Sequence, residues 1–363
     1  MIVKSIKLTS FRNFESGTAV FEPSANIFQG KNGAGKSNLL EAIFMLLLGK
    51  STRGAKDGML VKEGGDFYRI EGEVEAENDS NQVSIAYQIP GKRKVLVNKR
   101  LTKTSELFGK FCAVSAGPSD IEIFAGSPSI RRNFLNLHLS QMSPRYFNVL
   151  GDYHKAVEQK NAWLKQSRMK QSNPYNELIA KYGAIIMMER KKFLNLIWPG
   201  AENLYRKVSS GQSFMISYSP SVVIEDDSWT EEKIRTVILE KLRLNENRER
   251  LLQMAMIGPH RDEIEFTIEG YPARSHGSQG EMRTAAISLK LAIFEHLKNV
   301  RKEVPVLLMD EIFAELDETR RERLMEAFGQ FGQLFLTTAT EIPGLLTQGG
   351  KRFRIEDGSI RPQ

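Results

Sequence analysis

The sequence predicts an α/β fold in which one lobe is assembled from both ends of the chain and a mainly helical second lobe is inserted between them. Three observations predict it. A glycine-rich loop near the N-terminus lies between an apolar strand pattern and an apolar helix pattern. Near the C-terminus, the apolar run Val304-Pro-Val-Leu-Leu-Met309 ends in Asp310-Glu311 and reads as a strand of the buried, parallel kind. Between these two, residues 129–247 are mostly helical in pattern. Three domains in a row would separate the loop from the carboxylates, so the economical division is 1–112 with 250–363, and 113–249 inserted. A length of 363 residues suits two such lobes.

The elements follow in order. Ile2, Ile6 and Leu8 share one face at period two, residues 18–21 form a second strand after Ser16-Gly17, and residues 26–29 form a third that ends at Gly30. From Ser37 the period becomes helical, with Leu39, Leu40, Ile43, Leu46 and Leu47 on one stripe and Gly49 as the stop. Residues 67–101 alternate like a small antiparallel sheet with turns at 77–82 and at Pro90-Gly91. The central region places Tyr146, Val149, Tyr153 and Val157 on one helix and Leu178, Tyr182, Ile185 and Phe193 on another. Prolines at 144, 174, 199 and 220 interrupt this region. Residues 264–268 return to strand, and a Gly/Ser loop then opens a helix over 281–298.

Gly30-Lys31-Asn32-Gly33-Ala34-Gly35-Lys36-Ser37 matches the phosphate-loop pattern G-x-x-x-x-G-K-[ST] at every fixed position. Glycines are needed because successive backbone N–H groups must point inward at a phosphate, and side chains would block its approach. The helix that follows adds positive potential at its N-terminus. Lys36 is placed to reach the terminal phosphates of ATP, and the Ser37 hydroxyl to ligate Mg²⁺. Asp310, at the end of its strand, is the expected second metal ligand. Glu311, one residue on, is the expected base that polarises the attacking water.

Gly277-Ser278-Gln279-Gly280-Glu281 opens the C-terminal helix as a second anion-binding helix end, but it is not a complete phosphate loop. One complete and one partial site suggest halves that meet across a dimer. In order, the phosphate loop, Ser278-Gln279-Gly280, the strand with Asp310-Glu311 and then Ala314-Glu-Leu-Asp317 resemble the ABC-type ATPases, with Ser278-Gln279-Gly280 as the signature and Asp317 in the D-loop. The opening Lys7-Leu-Thr-Ser-Phe-Arg12-Asn-Phe14 resembles the SMC-like branch of that class. Nearly end to end the chain resembles the RecF family, through Gly117-Pro-Ser-Asp120, Arg131-Arg132-Asn-Phe-Leu135, Gln159-Lys-Asn161 and Gly258-Pro-His-Arg-Asp262.

The resemblance implies a P-loop ABC-type ATPase head with an inserted lobe, and an ATP-dependent head-to-tail homodimer in which the loop of one copy is capped by Ser278 and Gly280 of the other. It implies a weak, DNA-stimulated ATPase and binding to single-stranded DNA and single/double-strand junctions. It also implies work at gaps with RecR and RecO in loading RecA, in replication restart and the SOS response. By the same resemblance Arg12 contacts nucleotide phosphate, and Asp120 is the candidate for the glutamine-loop residue beside the metal. Two departures from the wider pattern stand out: Thr340 takes the place of the ABC switch histidine, and Glu311 stands where many relatives carry a second aspartate.

Composition excludes several classes. With 41% hydrophobic and 26% charged residues the chain is neither disordered nor fibrous. No apolar run approaches the ~20 residues of a membrane helix, and the N-terminus lacks the apolar core of a secretory signal. The motor subunit of a membrane transporter shares the ATP chemistry, but the long helical insertion, the missing switch histidine and the SMC-like start argue against it. One cysteine, Cys112, excludes an internal disulfide and fits the reducing cytoplasm. The net charge of +7 suits a polyanionic partner. Two basic stretches are candidates to follow a phosphate backbone: Lys92, Arg93, Lys94, Lys99, Arg100 and Lys103; and Lys155, Lys160, Lys165, Arg168 and Lys170. Arg131 and Arg132 are candidates either to touch DNA or to fix the first helix of the inserted lobe, and Arg53 is a second arginine near the loop. His260, Arg261 and Asp262 read as a structural network joining the lobes.

Overall fold

The computed structural model describes residues 1–77, 79–166, 173–225, 229–313, 318–327, 331–339 and 350–363. The chain divides into two compact units, both discontinuous in sequence. The first comprises Met1–Ile121, Ala201–Gln212 and Ser278–Gln363, and the second Glu122–Gly200 and Ser213–Gly277.

The first unit holds two six-stranded sheets. One runs in the order Ser359–Pro362, Lys351–Glu356, Ala25–Gln29, Leu334–Thr338, Val306–Asp310, Ala113–Ala116. Its four internal pairings are parallel, and only the outermost hairpin is antiparallel. The register sets Gln29 beside Thr338 and Asp310 beside Thr337, so the loop and the carboxylates emerge at the same carboxyl edge. That edge is where open parallel sheets bind ligands. The other sheet is antiparallel, in the order Phe14–Val20, Ile2–Phe11, Phe67–Ala76, Asp79–Gln88, Lys94–Val97, Arg100–Leu101.

Helix Lys36–Leu48 packs between the two sheets and is buried almost all round, including Glu41. A helix apolar on every face needs such a position. Gly72 lets it approach: a Cβ there would lie 2.5 Å from both Ser5 O and Leu46 Cδ2. The helix stops at Gly49, whose φ of 63° lets its N–H close on Met45 O.

The second unit carries helices Pro128–Met142, Pro144–Leu164, Glu231–Leu244 and Glu246–Leu252, together with most of Asn176–Val208. It also has a small antiparallel sheet of Tyr271–Pro272, Glu263–Ile268 and Phe214–Ser219. Pro128 and Pro144 stand at first-turn positions, where the missing N–H costs nothing. Pro199, read from sequence as an interruption, lies inside the long helix. The carbonyl it leaves without a donor belongs to the exposed Asn195, where water can serve.

These units shift the boundaries read from sequence. The insertion does not begin at 113, because Ala113–Ala116 is a buried strand of the parallel sheet in register with Val306–Met309. Nor does it end at 249, because residues 213–277 belong to the second unit through its small sheet. Among the described residues, no helix is long and apolar enough to cross a membrane.

Candidate functional site

The phosphate loop leaves the strand Ala25–Gln29 and enters helix Lys36–Leu48. Gly33 and Gly35 adopt φ of 82° and 114°, a region that side chains resist. A Cβ at Gly30 would lie 2.3 Å from Ile355 O, and one at Gly35 would lie 2.5 Å from Asn13 Nδ2. Asn13 is the clip that holds this shape. Its Nδ2 donates to Ala34 O at 2.9 Å, and its Oδ1 accepts from Asn38 Nδ2 at 2.8 Å.

Lys36 Nζ donates to Gly30 O at 2.8 Å and Lys31 O at 3.1 Å, and pairs with Glu311 Oε1 at 2.9 Å. The lysine thus lies curled inside its own loop with one carboxylate against it. Ser37 Oγ donates to Asp310 Oδ1 at 2.8 Å, and Thr337 Oγ1 donates to the same oxygen at 2.6 Å. Thr337 Oγ1 also accepts from the Glu311 N–H at 2.9 Å. One hydroxyl therefore fixes the Asp310 carboxylate and the Glu311 backbone, while Glu311 turns out of its strand with φ of 47°.

A serine hydroxyl and one carboxylate oxygen are hard donors of the kind Mg²⁺ takes while keeping several waters. Ser37 and Asp310 fit that ion. Among the described residues there is no cluster of three or more His, Cys, Asp or Glu able to make an all-protein metal cage.

Asp120 lies beside this group without joining Ser37. Its Oδ2 accepts from Gly117 N at 2.8 Å and its Oδ1 pairs with Lys290 at 2.9 Å, so both oxygens are engaged. With Glu311 it borders a narrow cavity of about 10 Å³. Arg12 points elsewhere: its guanidinium holds Glu41 at 3.0 and 3.2 Å and donates to Met59 O at 3.1 Å. Arg53 reaches Asn38 Oδ1 at 3.2 Å.

Ser278 caps helix Gln279–Arg301 in a reciprocal box with Glu281. Glu281 Oε2 accepts from the Ser278 N–H and hydroxyl, each at 2.8 Å, and Gln212 Nε2 donates to Oε1 at 2.8 Å. These bonds, the Ser278 N–H first, hold the Glu281 carboxyl below its ordinary range. Ser278 and Gln279 are exposed, and Gly280 is half-buried with the end of Arg320 close to where a Cβ would stand. Asp317 and Thr340 lie outside the described residues.

The remaining sequence candidates sort by burial. Lys92, Lys94, Lys99, Arg100 and Lys103 are exposed at the edge of the antiparallel sheet, whereas Arg93 is drawn in by Asp57 and Gly49 O. In the second unit Lys160 is fully buried against Glu249 at 2.6 Å, which removes it from any basic face. Arg168 and Lys170 are not among the described residues. Arg131 is buried and grips Glu263 at 2.6 and 2.7 Å. Asp262 is fully buried beneath Arg190, Tyr218 and the Ser221 N–H. Among the described residues, these hydrogen-bond partners all belong to the second unit, so the cluster braces that unit.

Sequence reasoning missed Asn13, Asn38, Thr337 and Lys290. Asn13 lies within the opening motif Lys7–Phe14, and Thr337 lies three residues before Thr340. Lys290 gave no signal, because a lysine in mid-helix ordinarily faces water.

The RecF/RecN/SMC N terminal domain family matches residues 2–344. The chain is 32% identical over 370 residues to the DNA replication and repair protein RecF of Lysinibacillus sphaericus, covering 99% of each. It is 34% identical to that of Bacillus cereus strain B4264, covering 99% of this chain and 98% of the other. Among solved structures it resembles the recombination mediator protein RecF with ATP in the RecFOR pathway, at a TM-score of 0.90 and 30% identity over 99% and 97% of the two chains. The Smc head domain of Pyrococcus furiosus bound to the C-terminal domain of ScpA shares the fold alone, at a TM-score of 0.57 and 16% identity over 99% and 95%.

Proposed function

We propose, for a chain that belongs to the RecF family of DNA replication and repair proteins, that ATP acts as the switch that pairs two copies of it on DNA. The observation that carries this reading is the asymmetry of the first unit. Its phosphate loop is complete, with Lys36, Ser37, Asp310, Glu311 and Thr337 linked by contacts, while Ser278 and Gln279 face solvent and, among the described residues, the Ser278 hydroxyl bonds within its own helix cap.

In this reading the loop N–H groups and Lys36 receive the β- and γ-phosphates, and Lys36 exchanges Glu311 for phosphate oxygen. Glu311, so released, orients the attacking water and accepts its proton. Ser37 and Asp310 would hold Mg²⁺, which offsets phosphate charge. Ser278 and Gly280 of a second copy cap the nucleotide from the other side, so hydrolysis ends the pairing. Turnover is slow because the full site exists only within the pair, and DNA raises it by favouring the pair.

The exposed lysines and Arg100 at the sheet edge, with the net charge of +7, support contact with a phosphate backbone rather than with bases. The cellular reading is action in the cytoplasm at single-strand gaps and junctions, with RecR and RecO in loading RecA. Replication restart and the SOS response are the processes served. The ATPase work falls to the first unit, whose basic sheet edge also meets DNA, and the inserted unit is left for further contacts with DNA and partners. Light scattering tests the switch: the chain should have its single-copy mass without nucleotide and twice that mass with Mg·ATP. A mass unchanged by saturating Mg·ATP, with and without a gapped duplex, contradicts it.

A further inference from the structure

In the second unit, a cavity of about 150 Å³ is bordered by Ser129, Arg132, Asn133, Asn136, His154 and Arg190, among others. None of its nine lining residues is acidic. The volume takes several water-sized groups, hence a tetrahedral oxyanion of five heavy atoms.

The local charge does not balance without a ligand. Arg131 takes Glu263, and Arg190 takes Asp262 at 2.9 Å. That leaves Arg132, which donates from one nitrogen to the Asp262 carbonyl at 2.9 Å and has no carboxylate partner among the described residues. Arg190, with its side chain only 2% exposed, also keeps its Nε buried without a hydrogen-bond acceptor. Buried donors in folded chains are almost always satisfied, so an orphaned guanidinium N–H at a polar cavity points to a missing acceptor. Burial first, and then the neighbouring Arg190 guanidinium, hold the Arg132 pKa below its ordinary value, although Glu263 and Asp262 act the other way.

Two further features converge. Ser129 and Arg132 lie near the start of the 15-residue helix Pro128–Met142, whose N-cap Ser127 makes no side-chain cap bond, so helix-end potential adds to the arginines. The Asn136 Oδ1 already accepts from Arg190 and Tyr146, which fixes its amide so that Nδ2 is the group left to donate. Guanidinium, amide and helix N–H donors with no carboxylate form an oxyanion receptor, beside a Ser129 hydroxyl that shares a hydrogen bond with Ser127 Oγ at 2.7 Å.

We propose that this cavity is a second phosphate-recognising site, distinct from the phosphate loop and filled by a phosphate group of a small molecule or of a nucleic-acid strand. The test uses the full chain carrying Lys36→Ala, which removes the loop's own phosphate binding, titrated with inorganic phosphate by calorimetry. Binding should persist in that background and weaken about tenfold or more in Arg132→Gln, the loss of one charge-assisted contact. Arg132→Lys should recover part of it.

Ser129→Glu guards against an unfolded Arg132 variant, since it alters an exposed residue and places a carboxylate where the helix end favours one. It should abolish phosphate binding while leaving thermal stability equal or higher. Single strands with a 5′-phosphate or a 5′-hydroxyl, compared in Arg132→Gln, separate the sources. Weakening of both assigns an internal phosphate, weakening of the first alone a terminal one, and weakening of neither a small molecule; each supports the site. Phosphate affinity unchanged in both Arg132→Gln and Ser129→Glu, or absent once Lys36 is removed, overturns it.

Discussion

Lys36 Nζ and Glu311 Oε1 stand 2.9 Å apart, with the lysine side chain 3% exposed and the glutamate 22%. In the proposed function these two groups act separately on a nucleotide, yet here each is the other's counter-ion. Any phosphate entering the loop competes with Glu311 for the ammonium, and success frees the carboxylate. Glu311→Gln weakens the competitor and removes the base together. It should bind ATP as tightly as the parent or several-fold more tightly, and release phosphate about 10²–10⁴ times more slowly. Filter binding and a phosphate-release assay on one preparation check both.

Asn13 holds the loop through Ala34 O and Asn38 without being placed to touch a phosphate itself. Asn13→Ala should lower ATP affinity by roughly tenfold or less, the worth of one or two neutral hydrogen bonds. The melting temperature should change little. Nucleotide titration beside a thermal scan separates a positioning effect from a folding one.

The phosphate loop and its strand–helix setting were legible because the motif is contiguous and each residue type has a local reason. The carboxylate pair was legible for the same reason. Arg12 was not, because its partner Glu41 sits on the buried helix after the loop, and no spacing rule couples a turn arginine to it. Lys160 read as part of a basic face, and Arg131 as either a DNA contact or a brace of the first inserted helix, because helical periodicity reports which face a residue occupies, not whether Glu249 or Glu263 waits there. The insertion boundary failed at 113 for a related reason. A four-residue apolar strand after a helix looks the same whether it opens a new lobe or closes an old sheet.

Gln212 ties the signature helix to the segment that leads out of the first unit. It donates to Glu281 Oε1 at 2.8 Å and accepts from Tyr205 OH at 3.3 Å. Gln212→Ala should leave ATP binding by the isolated copy unchanged. It should raise the nucleotide concentration needed for pairing up to about tenfold, by loosening the carboxylate that orients Ser278. Scattering mass against ATP concentration is the readout.

His260 is held neutral. Burial pulls its pKa from 6.5 down to about 4, with Tyr153 OH at Nδ1 and Ala255 O at Nε2. The unfolded chain takes up a proton near pH 6.5 and the folded one only near 4, so stability falls as pH drops between those values and levels off below. The loss reaches at most about 3 kcal/mol. Urea unfolding of the second unit at pH 7 and pH 4.5 should show this fall in the parent, and His260→Gln should lack it.

The shared-site claim is tested most directly by mixing two inactive variants. Lys36→Ala lacks a working loop and Ser278→Arg lacks a working cap, so neither should pair with itself or hydrolyse ATP. Mixed in equal amounts with Mg·ATP and gapped DNA, they should form pairs holding one intact site, and hydrolysis should return to a fraction of the parent rate. A mixture no more active than either variant alone contradicts the account.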